Sequence, residues 1–399
     1  METRKNLNLK ADQIQPSPIR KILSKTQAAK MQGIHVTDLS VGRPDFDTPA
    51  HIKEAARRAM DQGQVHYTAS AGIPELRKSI CRQVFKETGV SFQSDQVLVT
   101  AGATEALYIA LQAILNPGDE ILAPEPMFVY YAGDAVLCGA ECIGIPLTAE
   151  NHFKLQADQI AGLISPRTRA LIVTSPHNPT GQVFDREDLV AIAQLARKHD
   201  FYIISDDIYS RILYDETDYF NIVQVPGLED RTILINSFSK CYAMDGWRIG
   251  YLVAPAPVVS SALKIHQHLM SCPNTFVQWG AAAALNGPQE CVAAMRTEFD
   301  RRRRLMMAAL DSFGMPYVRP RGAFYIFPSV KAYGMTSEEF CDFMFREARV
   351  AIVPGNAFGT AGEGYVRLSY ANDYEEIEKG MQRFGDALKM REVASKLLI

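Results

Sequence analysis

The chain has 399 residues, with 42 Lys plus Arg against 45 Asp plus Glu, a formal net charge of −3. That balance argues against the basic footprint of a nucleic-acid binder and against an acidic solvating tail. Hydrophobic residues make up 47% and charged residues 22%, which excludes disorder of the whole chain, and no apolar run approaches the ~18 residues of a membrane span.

The opening METRKNLNLKADQIQ lacks the apolar stretch of a secretory signal. Segment 1–40 has no core of its own; it carries one helix, Ile19–Gln32, and is expected to dock elsewhere. Gln96–Thr100 is a β-branched strand, followed after Gly102 by a helical run, Ala103–Leu115. Short apolar strands recur at Glu120–Ala123, Glu141–Ile145, Ala170–Thr174, Tyr202–Ser205, Thr232–Ile235 and Ile249–Ala254, with helical patterns such as Arg186–Lys198 between several of them. Apolar strands alternating with helices predict an α/β domain whose sheet is covered on both faces. The character changes near residue 290. A long helix, Gln289–Phe313, leads to a strand Ala323–Phe327, a helix Ser337–Ala348, strands Val350–Val353 and Tyr365–Ser369, and a closing helix Asp373–Leu397. This predicts a smaller α+β domain, so that 41–288 form a large domain and 1–40 with 289–399 a small one, closely packed. Arg301–Arg304 lies mid-helix behind Glu298 and Asp300 and reads as a solvated helix face.

Seven scattered cysteines, an odd count, argue against a disulfide framework and fit a reducing cytoplasm. Cys138 and Cys142 have no second Cys or His pair nearby and read as packing residues. There is no HExxH, P-loop, CxxC or complete GxGxxG. His266 and His268 sit two apart, a spacing that does not share a helix face, and read as ordinary helix residues.

The stretch Asn236–Tyr251, NSFSKCYAMDGWRIGY, is different. It places Lys240 after a strand, among serines, with Arg248 eight residues on. A pyridoxal 5′-phosphate site needs such a set: an amine for the aldehyde, hydroxyls and a guanidinium fork for the phosphate. Here the chain resembles the class I/II aminotransferases, fold-type I pyridoxal-phosphate enzymes, close to the gamma subgroup with bacterial aspartate and aromatic aminotransferases. The resemblance covers roughly residues 15–390.

It implies the following roles. Lys240 in SFSK is the Schiff-base lysine and proton carrier, and nearby positive charge such as Arg248 helps to depress its pKa. Asp206 in SDDIY pairs with the pyridine nitrogen, with Asp207 as the adjacent confounder, and Tyr209 bonds the phenolic O3′. Ser175–Gly181, SPHNPTG, matches the family turn with Ser175 in place of the usual Asn, and Asn178 donates to O3′ and helps to hold the substrate. Ala103 and Thr104, opening a helix, join Ser237 (preferred over Ser239) and Arg248 around the phosphate. Phe128 stacks on the ring. Arg367 clamps the substrate α-carboxylate, and the backbone at Gly42 approaches it. Tyr67 reaches the phosphate of a partner subunit, which implies a homodimer with shared sites.

The implied reaction is ping-pong transfer between an L-amino acid and a 2-oxo acid. A C–S β-lyase, a cyclase or an amino-acid oxidase would use the same residues. A non-catalytic regulator would need a DNA-binding domain, and the first 40 residues are too short for one. Residues near Ile19, Arg43 and Tyr131 are expected to set side-chain specificity, with Arg43 either meeting an acidic side chain, solvated, or paired with Asp45.

Overall fold

The computed structural model describes residues 9–397, apart from Gln15 and Ser17. Seven strands form the central sheet, in the spatial order Val97–Thr100, Gly250–Val253, Thr232–Ser237, Tyr202–Asp206, Thr168–Thr174, Glu120–Glu125 and Glu141–Pro146. Within it, Gly250–Val253 alone runs against its neighbours. Val97–Thr100 and Ala170–Val173 are buried along their length. Sheets covered on both faces require apolar runs rather than alternation, and that is what these segments carry.

Helices Ala103–Ile114, Tyr131–Cys138 and Ala256–Met270 cover one face over Leu98, Ile121, Ile172 and Leu252. Arg186–His199 covers the other over Leu122, Leu171 and Ile203. Helices Ala50–Asp61, Pro74–Thr88 and Thr275–Asn286 close the same sheet near its Val97 edge. The strands ending at Thr100, Thr174, Asp206 and Ser237 point the same way, so their loops open on one crevice, the place where α/β sheets bind ligands.

Beyond the long helix Glu290–Ser312, an antiparallel sheet orders Val353–Pro354, Val366–Ser369 and Tyr325–Ile326. Thr37–Asp38 pairs in parallel with Val350–Ala351. The single strand expected over Val350–Val353 is therefore two short strands in separate sheets, broken at Ile352. The helix expected over Ser337–Ala348 is α-helical to Phe343 and ends in a wider π turn, Met344–Ala348. The helix expected over Ile19–Gln32 runs Pro18–Met31, and a second, short one, Leu9–Gln13, precedes it. The longer helix docks as the segment's lack of a core requires, with Ile22 and Ala29 packing with Val36, Phe345 and Ala351 and Lys25 pairing with Asp342.

The arginine run departs from the expected solvated face. Arg301 and Arg304 are exposed, but Arg302 and Arg303 are buried. Arg303 is 0% exposed and reaches Asp215 through both Nη atoms at 2.8 Å, and Nη2 reaches Asp300 at 2.6 Å. Arg302 pairs with Asp45 at 2.6 Å. Four consecutive residues sweep a full helical turn, so on a packed helix they cannot all face water. Cys138 packs in the core beside Leu111 and Ala135, and Cys142 lies 3.8 Å from the Met127 sulfur. His266 is buried against Glu105 at 2.8 Å, and His268 is exposed.

Candidate active site

The crevice holds a cavity of about 230 Å³ that every residue implied by the motifs lines, Tyr67 excepted. Lys240 leaves the strand Thr232–Ser237 after Ser239 and donates from Nζ to Gly42 O at 2.5 Å. Burial draws its amine from 10.5 down to about 8; Asp245 opposes this, and Arg367 and then Arg248 add to it. Burial is thus the main cause, and Arg248 helps in the direction the motif implies.

Asp206 closes its strand inside the cavity. Its Oδ2 accepts from Tyr131 OH at 2.6 Å, and its Oδ1 is buried with no hydrogen-bond partner. Burial raises the carboxyl above its ordinary range, and the Tyr131 hydrogen bond opposes that. Asp207 faces away, onto Ser205, Tyr219 and Asn221. Burial pushes its carboxyl up to about 8. The two adjacent aspartates are therefore separated by geometry: Asp206 belongs to the cavity and Asp207 to the structure behind it.

The turn after Thr174 presents Asn178, whose Oδ1 accepts from Arg367 Nη1 at 3.1 Å. Arg367 Nη2 donates to Ser40 O at 2.6 Å, and its Nε is buried without a partner. His177, in the same turn, is buried against Thr180 and held neutral, its pKa drawn down to about 3 by burial. Tyr209 OH lies 2.7 Å from Tyr325 OH. A Cβ on Gly42 would stand 2.4 Å from that Tyr325 hydroxyl, so only glycine fits there.

At the other end, Ala103 and Thr104 begin a 12-residue helix whose N-terminus favours anions. Gly102 has φ 89°, and a Cβ on it would meet Arg248 Nη2 at 2.7 Å. Arg248 is held by the carbonyls of Asp245 and Ala101 at 3.0 and 3.2 Å. Ser237 and Ser239 both line this end. Phe128 borders the cavity and meets Tyr130 and Tyr131 edge-on, at 4.9 and 5.7 Å between ring centres.

Three expectations change or resolve, and a fourth, on Tyr67, concerns a partner subunit. Tyr67 is 88% exposed and lies outside the cavity. Tyr131 does not border the substrate space; it is buried behind Asp206. Asp45 is engaged by Arg302, so it is not the partner of Arg43, which is exposed. Ile19 does line the cavity. The sequence reading missed Tyr325, because within Ala323–Phe327 an aromatic in a strand looks like core. A larger cleft of about 600 Å³ beside Phe153, Phe184 and Tyr365 carries Lys154, Arg319 and Arg321. Those cations are already paired with Asp185 and Asp215, so that cleft lacks the reactive set.

An amine of lowered pKa, an unpartnered buried carboxylate oxygen, a helix start and a buried arginine thus face one cavity. The chain belongs to the class I and II aminotransferases: the profile of the family described as "Aminotransferase class I and II" matches residues 34–384. It is 42% identical to an aspartate aminotransferase of Pyrococcus abyssi, over 96% of this chain and 98% of that protein. It is 42% identical to aromatic-amino-acid aminotransferase 2 of Thermococcus litoralis, over 97% of this chain and 99% of that protein. The solved aspartate aminotransferase of Thermus thermophilus with maleate superposes with a TM-score of 0.92 at 37% identity, covering 96% of this chain and 100% of the other. The protein is an aminotransferase, and members of its family depend on pyridoxal phosphate.

Proposed function

We propose that this chain binds pyridoxal 5′-phosphate in the 230 Å³ cavity and exchanges amino groups between L-amino acids and 2-oxo acids in two alternating half-reactions. When bound, the cofactor supplies an aldehyde for the amino nitrogen and a ring that withdraws electrons from the substrate α-carbon. Lys240 Nζ would hold the aldehyde end of the group and would carry the proton of the α-carbon, and an amine drawn down to about 8 suits both tasks. Asp206 Oδ1, buried and unpartnered, fits a protonated ring nitrogen. Asn178 and Tyr209 orient the phenolic oxygen, and Phe128 offers its face to the ring. Ala103, Thr104, Ser237 and Arg248 hold the phosphate. Arg367, with Asn178 and the Gly42 backbone, takes the substrate α-carboxylate and excludes other orientations.

The observation that carries this reading is the meeting of Lys240, Asp206 Oδ1, Arg248 and Arg367 on one cavity. We also take the division into 41–288 and 1–40 with 289–399 as the domain plan. A second copy is proposed to cover Tyr67, Val65 and Phe276, which line one surface cleft, with Tyr67 entering the partner's site. No helix among the described residues is long and apolar enough to cross a membrane, and the free cysteines fit a reducing cytoplasm. The test is the visible spectrum of the purified protein before and after single amino acids are added, aspartate and aromatic donors first. Bleaching that a 2-oxo acid reverses supports the reading. Release of ammonia or pyruvate without a 2-oxo acid contradicts it.

A further inference from the structure

Tyr131 is 1% exposed, and its hydroxyl touches two groups. Asp206 Oδ2 lies 2.6 Å away and Thr174 Oγ1 lies 2.7 Å away. A carboxylate only accepts, so the single phenolic proton goes to Asp206. The Thr174 hydroxyl must then donate to the Tyr131 oxygen. The chain of donors has one direction, Thr174 to Tyr131 to Asp206. A phenylalanine would fill the same space, so packing alone does not call for the hydroxyl.

We propose that Thr174 and Tyr131 form a buried prop that fixes the orientation and charge of Asp206, leaving Oδ1 as the one oxygen offered to the cavity. Tyr131 is thus a positioning residue acting through Asp206, and the inference rests on the cofactor reading given above. Oδ2 is fixed by the prop and Oδ1 has no protein partner. The backbone at Ile208 also steadies the Asp206 carboxyl; without the Tyr131 bond that is the weaker hold left, and burial favours the neutral form. The other charged groups near the pair are few. Lys240 acts on Asp206 from the strand Thr232–Ser237, Asp207 is turned to the far side, and Asp134 lies one turn along the helix from Tyr131.

The test uses the holoenzyme and Tyr131→Phe. The visible band of the bound cofactor is titrated with pH, cofactor release is followed on dialysis, and kcat and KM are measured with one amino donor. A weaker Asp206 charge leaves the ring less positive, so other protons on the bound cofactor are held more tightly. The titration midpoint moves up by about half a unit to one unit. Release quickens, and kcat falls about tenfold, the size of one charge-assisted hydrogen bond, while KM stays within about twofold. A merely structural role would leave the midpoint where it is. If Tyr131→Phe matches the parent in midpoint, release and kcat, the prop is refuted while the cofactor reading stands. If Tyr131→Phe does not fold, Thr174→Val and Thr174→Ser decide. A smaller shift in the same direction for valine only supports the prop, and two parent-like variants overturn it. A parent protein with no visible band on added cofactor sinks the cofactor reading, and the prop with it.

Discussion

Replacing Arg367 with lysine isolates the contribution of a planar fork. The guanidinium donates to Asn178 Oδ1 and Ser40 O, keeps Nε unpartnered, and lies 4.4 and 4.9 Å from the ring centres of Tyr325 and Phe358. Lysine keeps a charge but offers a point donor on a flexible stem and cannot grip a carboxylate with two parallel bonds. The lost bond to a charged group is worth about 2 kcal/mol, and a stranded buried acceptor at Asn178 or Ser40 adds about 1–2 kcal/mol. The combined loss of about 3–4 kcal/mol corresponds to a fall of about 10²–10³ in kcat/KM. Steady-state transfer from aspartate or phenylalanine to 2-oxoglutarate reads the loss, and the visible spectrum reads the cofactor. The loss falls on the amino-acid dependence, with the cofactor band intact. A variant within threefold of the parent, or one that loses cofactor but binds amino acid normally, refutes the clamp.

Gly102→Ala places a Cβ 2.7 Å from Arg248 Nη2 at a φ of 89°; cofactor retention on dialysis against phosphate falls, while the fold, read by circular dichroism, persists. The Lys240 amine titrates near 8 instead of 10.5 in the protein without cofactor. Its labelling by an amine reagent therefore rises through pH 8, whereas ordinary lysines respond above pH 10. The sign of the linked stability is also set. The unfolded state binds more protons between about pH 8 and 10.5, so this group disfavours folding fully below pH 8, and that penalty fades as pH rises toward 10.5. Comparing urea midpoints of the cofactor-free parent and Lys240→Met across that window checks it. Arg303→Met breaks a fully buried cation and costs about 3 kcal/mol, at the low end because Asp215 and Asp300 keep Arg319 and Arg304. Exposed Arg301→Met stays within about 0.5 kcal/mol, and thermal denaturation separates the two.

Much of the site was legible because reactive residues stand at strand ends, where hydrophobic runs stop abruptly. Asp206 ends one such run, Lys240 follows a second after three residues, and Gly102 marks a strand-to-helix turn. What stayed hidden depends on long-range packing. Tyr325 belongs to a different part of the chain from Tyr209, and no local pattern announces that their hydroxyls meet at 2.7 Å. Tyr131 lies three residues from Phe128, yet one borders the cavity and the other props Asp206 from behind. The split of Val350–Val353 between two sheets is set by distant partners, Thr37–Asp38 and Val366–Arg367. The two faces of the arginine run are likewise fixed by Asp45 and Asp215, far away in sequence. Local propensity reports none of these.

The proposed function stands or falls on Lys240 as the carrier of the cofactor. Borohydride reduction of the protein incubated with pyridoxal phosphate, followed by proteolysis and peptide mass analysis, tests it most directly. One modified lysine is expected, Lys240, in the peptide that spans Ser239 and Cys241, and no modified lysine in that peptide when the reagent is omitted. Modification at another lysine, or none in a folded protein, contradicts it.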